Sequence, residues 1–115
     1  MALFMLPNQF FKLLSDETRV RCLLLIVRSE SLCVCELMSA LNESQPKISR
    51  HLALLRQSGV LIDERKGQWV YYRLASDLPG WLVKVIDGLR NSNCIKTEYL
   101  QDEQRLESMP DRPCV

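Results

Sequence analysis

The chain has 115 residues, 47% of them hydrophobic and 25% charged, which suits one compact domain with its own core. Its longest apolar run, Cys22 to Val27, is far too short to span a bilayer, so an integral helical membrane protein is excluded. The formal net charge is only +1, but residues 1–97 hold thirteen Lys and Arg against nine acids while residues 98–115 hold two against five. The expected folded part is therefore basic and the tail acidic, and a local basic surface is what a nucleic-acid binder needs. The start, MALFMLPNQFF, lacks a basic leader and a small-residue cleavage site, so no signal peptide is expected and the cytoplasm is the default compartment.

Taken in order, Phe4 to Leu14 predicts a first helix after Pro7, with Phe10, Phe11, Leu13 and Leu14 as its apolar residues. Ser15 is expected to cap a second helix running to about Arg28, with Asp16 and Glu17 in its first turn and Val20, Leu23, Leu24 and Val27 as its buried stripe. Leu32 to Gly59 reads as two short helices joined by a tight turn. Leu37, Ala40 and Leu41 share one face, Asn42 and Glu43 break the pattern, and Ser44 caps a helix that tolerates Pro46 in its first turn. Ile48, Leu52 and Leu55 make the inner face of that helix, and Gly59 supplies its stop. Residues 60–65 and 68–74 have strand character, and Lys66-Gly67 between them predicts a hairpin. Pro79 opens a last apolar helix bearing Trp81, Leu82, Val85, Ile86 and Leu89. The polar segment beyond Asn91 is expected to continue as helix to about Leu106 and then fray.

The fold class expected is mainly α with a β-hairpin wing, a winged helix-turn-helix. Residues 1–92 form the DNA-binding and dimerisation domain and residues 93–115 a polar, partly disordered tail. The apolar faces at both ends exceed what a small domain can bury, which points to a homodimer suited to a palindromic duplex. Candidate DNA contacts are Gln45, Lys47, Ser49, Arg50 and His51 on the second helix of the motif, and Arg65 and Lys66 at the hairpin tip. His51 stands beside Leu52, where it either packs or meets a phosphate.

Five cysteines are present: Cys22, Cys33, Cys35, Cys94 and Cys114. Cys22 lies inside CLLLIV and reads as a buried small hydrophobe. Cys33 and Cys35 form a Cys-X-Cys pair, which in a reducing compartment binds a soft ion or senses redox state.

Together, LCVCEL at 32–37, SQPKISRHLALLRQSGVL at 44–61 and GQWVYYRL at 67–74 make the chain resemble the arsenic-responsive branch of the ArsR/SmtB family of bacterial metalloregulators. The resemblance implies a homodimeric repressor of an arsenic-resistance operon that leaves its double-stranded operator when As(III) or Sb(III) binds, with no other cofactor. Its Cys-Val-Cys element implies Cys33 and Cys35 as ligands. The family's third cysteine, three residues on, is replaced by Met38, a thioether without charge. The third position is therefore left to Met38, to Cys94 or Cys114 of either subunit, to a small external thiol or to solvent. Residues two apart on a regular helix point about 200° from each other, so joint ligation must unwind the helix start or hold it non-helical. The competing reading keeps the DNA binding and makes the same thiols a redox sensor. No His-plus-acid group accompanies either thiol and no glycine-rich phosphate loop exists, which argues against an enzyme.

Overall fold

The computed structural model describes residues 5–92 and 96–109. In chain order it runs α1 (Pro7–Leu13), α2 (Glu17–Ser29), β1 (Leu32–Cys33), α3 (Val34–Leu41), α4 (Gln45–Gln57), β2 (Leu61–Lys66), β3 (Trp69–Leu74), α5 (Gly80–Arg90) and α6 (Lys96–Glu107). Helices α3 and α4 are the two arms of a helix-turn-helix, and β2 and β3 are the wing.

Helix α2 is the centre. Cys22, Leu23, Leu24, Leu25 and Ile26 are all fully buried, whereas Val20 and Val27, expected in a single stripe, are only half-buried. Five successive residues point to every side of a helix, so this stretch must be covered all round, and α2 is packed by α3, α4, α5, α6 and the sheet. Five consecutive apolar residues were the local sign of this. The cap also differs from expectation by one residue. Asp16 Oδ1 accepts from the Arg19 backbone N–H at 3.0 Å, while the Ser15 hydroxyl donates back to the Lys12 carbonyl at 2.6 Å and closes α1. Carboxylate at the positive end of a helix outcompetes a hydroxyl for the same task.

The sheet has three strands in the order β1-β3-β2, one more than the hairpin that strand propensity indicates. Leu32 and Cys33 pair antiparallel with β3, opposite Tyr72 and Tyr71. Both residues are buried, so their backbone groups need partners before α3 can supply any, and the edge of β3 provides them. The wing register runs from Leu61 opposite Leu74 to Lys66 opposite Trp69. Gly67, at φ 64°, opens its two-residue turn, the glycine-first pattern that suits the twist of a tight hairpin.

Asn42 ends α3 in the left-handed region at φ 55°, a conformation Asn accepts more readily than most residues, and its N–H returns to the Met38 carbonyl. Four residues later α4 is under way, with Ile48, Leu52 and Leu55 buried against the core and Gly59 at φ 89° closing the turn into β2.

Helix α6 covers α2 and α3 with Asp102 and Leu106, both buried. Asp102 takes the Arg21 guanidinium in a fork, with Nε at 2.7 Å and Nη2 at 2.5 Å, and also accepts from Arg105 at 2.7 Å. The helix expected to continue to about Leu106 runs from Lys96 to Glu107 and packs on α2 and α3.

Candidate functional site

Helix α4 presents a polar outer face because its inner face is committed to the core. Pro46, Arg50 and Gln57 are exposed and Ala53 half-exposed, as the helical period requires. Arg50 makes no ion pair among the described residues and is available to a phosphate or a purine edge. Gln45 donates to the Ser49 hydroxyl at 2.9 Å, so these two are already oriented toward one another across one turn. Lys47 is ion-paired with Glu43 at 3.2 Å, a surface contact of small energy that a phosphate can displace.

His51 departs from the others. Its residue exposure is 4%, and the ring lies on the inner face of α4 against α2. Arg19 Nε donates to His51 Nδ1 at 3.4 Å, and Asp16 Oδ1 stands 3.5 Å from Nε2. A side chain so placed has no open path to a duplex. Expected among the DNA contacts, it is instead part of the floor beneath them, because at 3.6 residues per turn position 51 falls with Ile48, Leu52 and Leu55.

At the wing, Arg65 and Lys66 are both exposed. Lys66 Nζ lies 5.2 Å from the Tyr71 ring centroid and 3.9 Å from Glu64, and Glu64 also faces Arg73 at 3.8 Å. The tip is therefore a small charge network of Glu64, Lys66 and Arg73 rather than a bare cationic point.

The thiol pair straddles a junction. Cys33 closes β1 and is the N-cap of α3, with φ −97° and ψ 170°, so it lies outside the helix. Cys35 is the second helical residue, half-buried and a free thiol. Glu36 Oε1 accepts from the Cys33 N–H at 3.1 Å, the carboxylate half of a capping box. This pattern, residue three after a cap, is readable in Cys-Val-Cys-Glu once Cys33 is recognised as the cap. Cys33 and Cys35 are not bridged to each other, since Cys35 is a free thiol. Cys22 is free, fully buried, and pushed up to about 12 by burial, an inert thiol as expected.

Of the possible third ligands, Met38 is half-buried and packs against the core cluster. Cys94 and Cys114 lie outside the described residues. Among the described residues no group of three His, Cys, Asp or Glu is arranged to hold an ion. Cys33 and Cys35 alone are two donors, too few for a closed four-ligand zinc site.

Residues 16–63 match the profile described as "Bacterial regulatory protein, arsR family". Over 108 residues, 93% of this chain and 91% of the relative, the sequence is 54% identical to the arsenic resistance transcriptional regulator ArsR2 of Pseudomonas putida. It is 57% identical over 84 residues to the arsenical resistance operon repressor of Escherichia coli, covering 73% of this chain and 72% of that protein. Among solved structures, the AntR antimony-specific transcriptional repressor superposes with a TM-score of 0.60 at 26% identity, over 85% of this chain and 88% of that one. All three are regulators of transcription. With its helix-turn-helix, its wing and these relatives, the chain belongs to the arsR family of bacterial regulatory proteins, as a DNA-binding transcriptional regulator and not an enzyme.

Proposed function

We propose that the protein is a cytoplasmic homodimeric repressor that occupies the palindromic operator of an arsenic-resistance operon and leaves it when As(III) or Sb(III) is taken by Cys33 and Cys35. The names of its relatives support the arsenic and antimony reading. The observation that carries the mechanism is the position of Cys33. One residue is at once the N-cap of α3 and the strand partner of Tyr71 in the wing.

Two outputs follow from that position. Cys33 already has extended backbone, so only Cys35 is bound by the helical constraint on residues two apart. Drawing the two sulfurs to one centre moves the cap against the first turn of α3, and α3 packs on α4. The same movement pulls β1 against β3 and so tilts the wing. Coupling between effector and DNA of this kind amounts to about 1–3 kcal/mol and requires that the thiols bind the effector differently in the two states. The ligating species is the thiolate. The third donor is left to Met38, which is half-buried against the core, to Cys94 or Cys114, to an external thiol or to solvent.

The DNA contacts in this reading are Gln45, Lys47, Ser49 and Arg50 from α4, and Arg65 and Lys66 from the wing. The dimer buries α1 and α5, where Leu6 and Phe11 are 57% and 52% exposed and Trp81, Val85 and Leu89 half-exposed.

A gel shift of reduced protein on the promoter duplex upstream of its own gene tests the proposal. Arsenite releases the wild type, whereas Cys33→Ser and Cys35→Ser keep their DNA affinity and ignore arsenite. Release persisting in both serine variants overturns it. In the rival reading the same two thiols, one at the cap and one in the first turn of α3, respond to oxidation. Peroxide in place of arsenite separates them: release by peroxide alone, with none by arsenite, selects the redox sensor.

A further inference from the structure

The buried histidine of the recognition helix is unexplained by its neighbours' role in DNA contact. His51 Nε2 is buried and, among the described residues, has no hydrogen-bond partner, an arrangement that normally costs stability unless it serves something. Arg19 can only donate, so the Nδ1 it approaches at 3.4 Å must be a bare acceptor. The ring is therefore neutral, with its proton on Nε2, aimed at Asp16 Oδ1 3.5 Å away. That oxygen also accepts the Arg19 N–H at 3.0 Å as the cap of α2. The second arm of Arg19, Nη1, donates to the Leu13 carbonyl at 2.9 Å at the end of α1. One imidazole thus ties α4 to the junction of α1 and α2, directly beneath Lys47 and Arg50.

We propose that His51 is a positioning residue for DNA binding: a neutral imidazole seated between Arg19 and Asp16 that fixes the pose of the recognition helix on α2. The charged groups around it are Asp16 and Arg19 from the α2 side and Lys47 and Arg50 on α4 itself. Protonating Nδ1 sets an N–H against the Arg19 N–H and adds a cation among Arg19, Arg50 and Lys47, with Asp16 alone opposing. The latch opens in acid. Burial, the largest influence, and these three cations hold His51 below its ordinary value of 6.5, so the neutral latch is the state near neutral pH. Nothing in this depends on the thiols.

Because the chain has a single histidine, its titration can be followed without ambiguity. Three measurements on the reduced full-length protein test the proposal, with a fluorescein-labelled promoter duplex as the DNA probe and ionic strength held fixed. Histidine nitrogen NMR of the wild type should show Nδ1 bare and Nε2 protonated at about pH 7.5. At that pH His51→Asn, whose amide oxygen can replace the Nδ1 acceptor, should bind DNA within about threefold of wild type, while His51→Phe should lose at least about tenfold with its helical circular dichroism retained. On acidification, wild-type affinity should fall in step with the His51 NMR titration and the affinity of His51→Asn should stay flat. An Nδ1-protonated tautomer overturns the proposal even if His51→Phe does not fold. So does a folded His51→Phe that binds like wild type, or a wild-type affinity that rises as His51 takes up its proton, the mark of a direct phosphate contact.

Discussion

Glu36 shows what a single carboxylate contributes here. Its Oε1 holds the Cys33 N–H at 3.1 Å at a site with almost no solvent access. Glu36→Ala removes a cap interaction worth about 1 kcal/mol, and a thermal melt should drop by roughly 4–8 °C per kcal/mol in a domain of this size. Glu36→Gln keeps an acceptor and should lose less. Thiol reactivity is separable at the same scale. Iodoacetamide applied to the native protein should label Cys35 and spare Cys22, whose thiol is buried and pushed up to about 12. Labelling of Cys22 before unfolding, read by mass spectrometry, contradicts the packing of α2 described above.

Among the elements, α6 is the one whose removal has the most calculable cost. Asp102 has no solvent exposure and binds Arg21 in a fork and Arg105 alongside, while Arg105 Nε donates to the Ala40 carbonyl at 2.6 Å. A paired carboxylate of this kind adds little net stability over an apolar isostere, but deleting one partner strands the others. Asp102→Ala should therefore cost about 3–5 kcal/mol, read as a fall in the urea midpoint with early loss of amide protection in α6. A midpoint within about 1 kcal/mol of wild type shows that α6 is peripheral. Strand β1 carries a second expectation, resting on the proposed effector. Arsenite should speed hydrogen exchange at Tyr71 and Tyr72, the residues opposite Cys33 and Leu32, more than at Trp69 on the wing tip. Exchange unchanged at 71 and 72, with DNA still released, assigns the whole output to α3.

For the whole molecule, the exposed Leu6 and Phe11 on α1 are the test of assembly. Phe11→Asp places a charge in the proposed interface and should shift sedimentation toward monomer while leaving the monomer's fold intact, because Phe11 is half-exposed and Phe10 carries the packing against Trp81. Overall stability should also depend on acidity in a defined direction. Asp16 is held below its ordinary 3.8, chiefly by the Arg19 backbone N–H. Its contribution is therefore present above that value and lost as pH falls through the lower folded one. His51, also depressed but by burial, contributes stability that is full above 6.5 and declines below it. Denaturant midpoints should accordingly start to fall below about pH 6.5 in the wild type and only at more acid pH in His51→Asn.

Much of this was written in local pattern. The spacing of Ile48, Leu52 and Leu55, the stop at Gly59 and the turn at Gly67 dictate helix and hairpin because side-chain period and backbone φ are properties of a few neighbouring residues. The outer face of α4 follows from its inner one, and the Cys-Val-Cys element is visible as letters. What stayed hidden depended on partners far along the chain. Leu32 and Cys33 become a strand only because Tyr71 and Tyr72 arrive beside them, so the helix expected there begins one residue after the first thiol. The docking of an acidic α6 depends on Asp102 meeting Arg21, eighty-one positions away, and the continuous burial of α2 on four helices and a sheet converging on it. Whether His51 packs or meets a phosphate was open in the sequence, and its contacts with Arg19 and Asp16 on α2 place it inside. Local chemistry set which elements form; long-range pairing of buried polar groups decided where the thiols, the histidine and the last helix would stand.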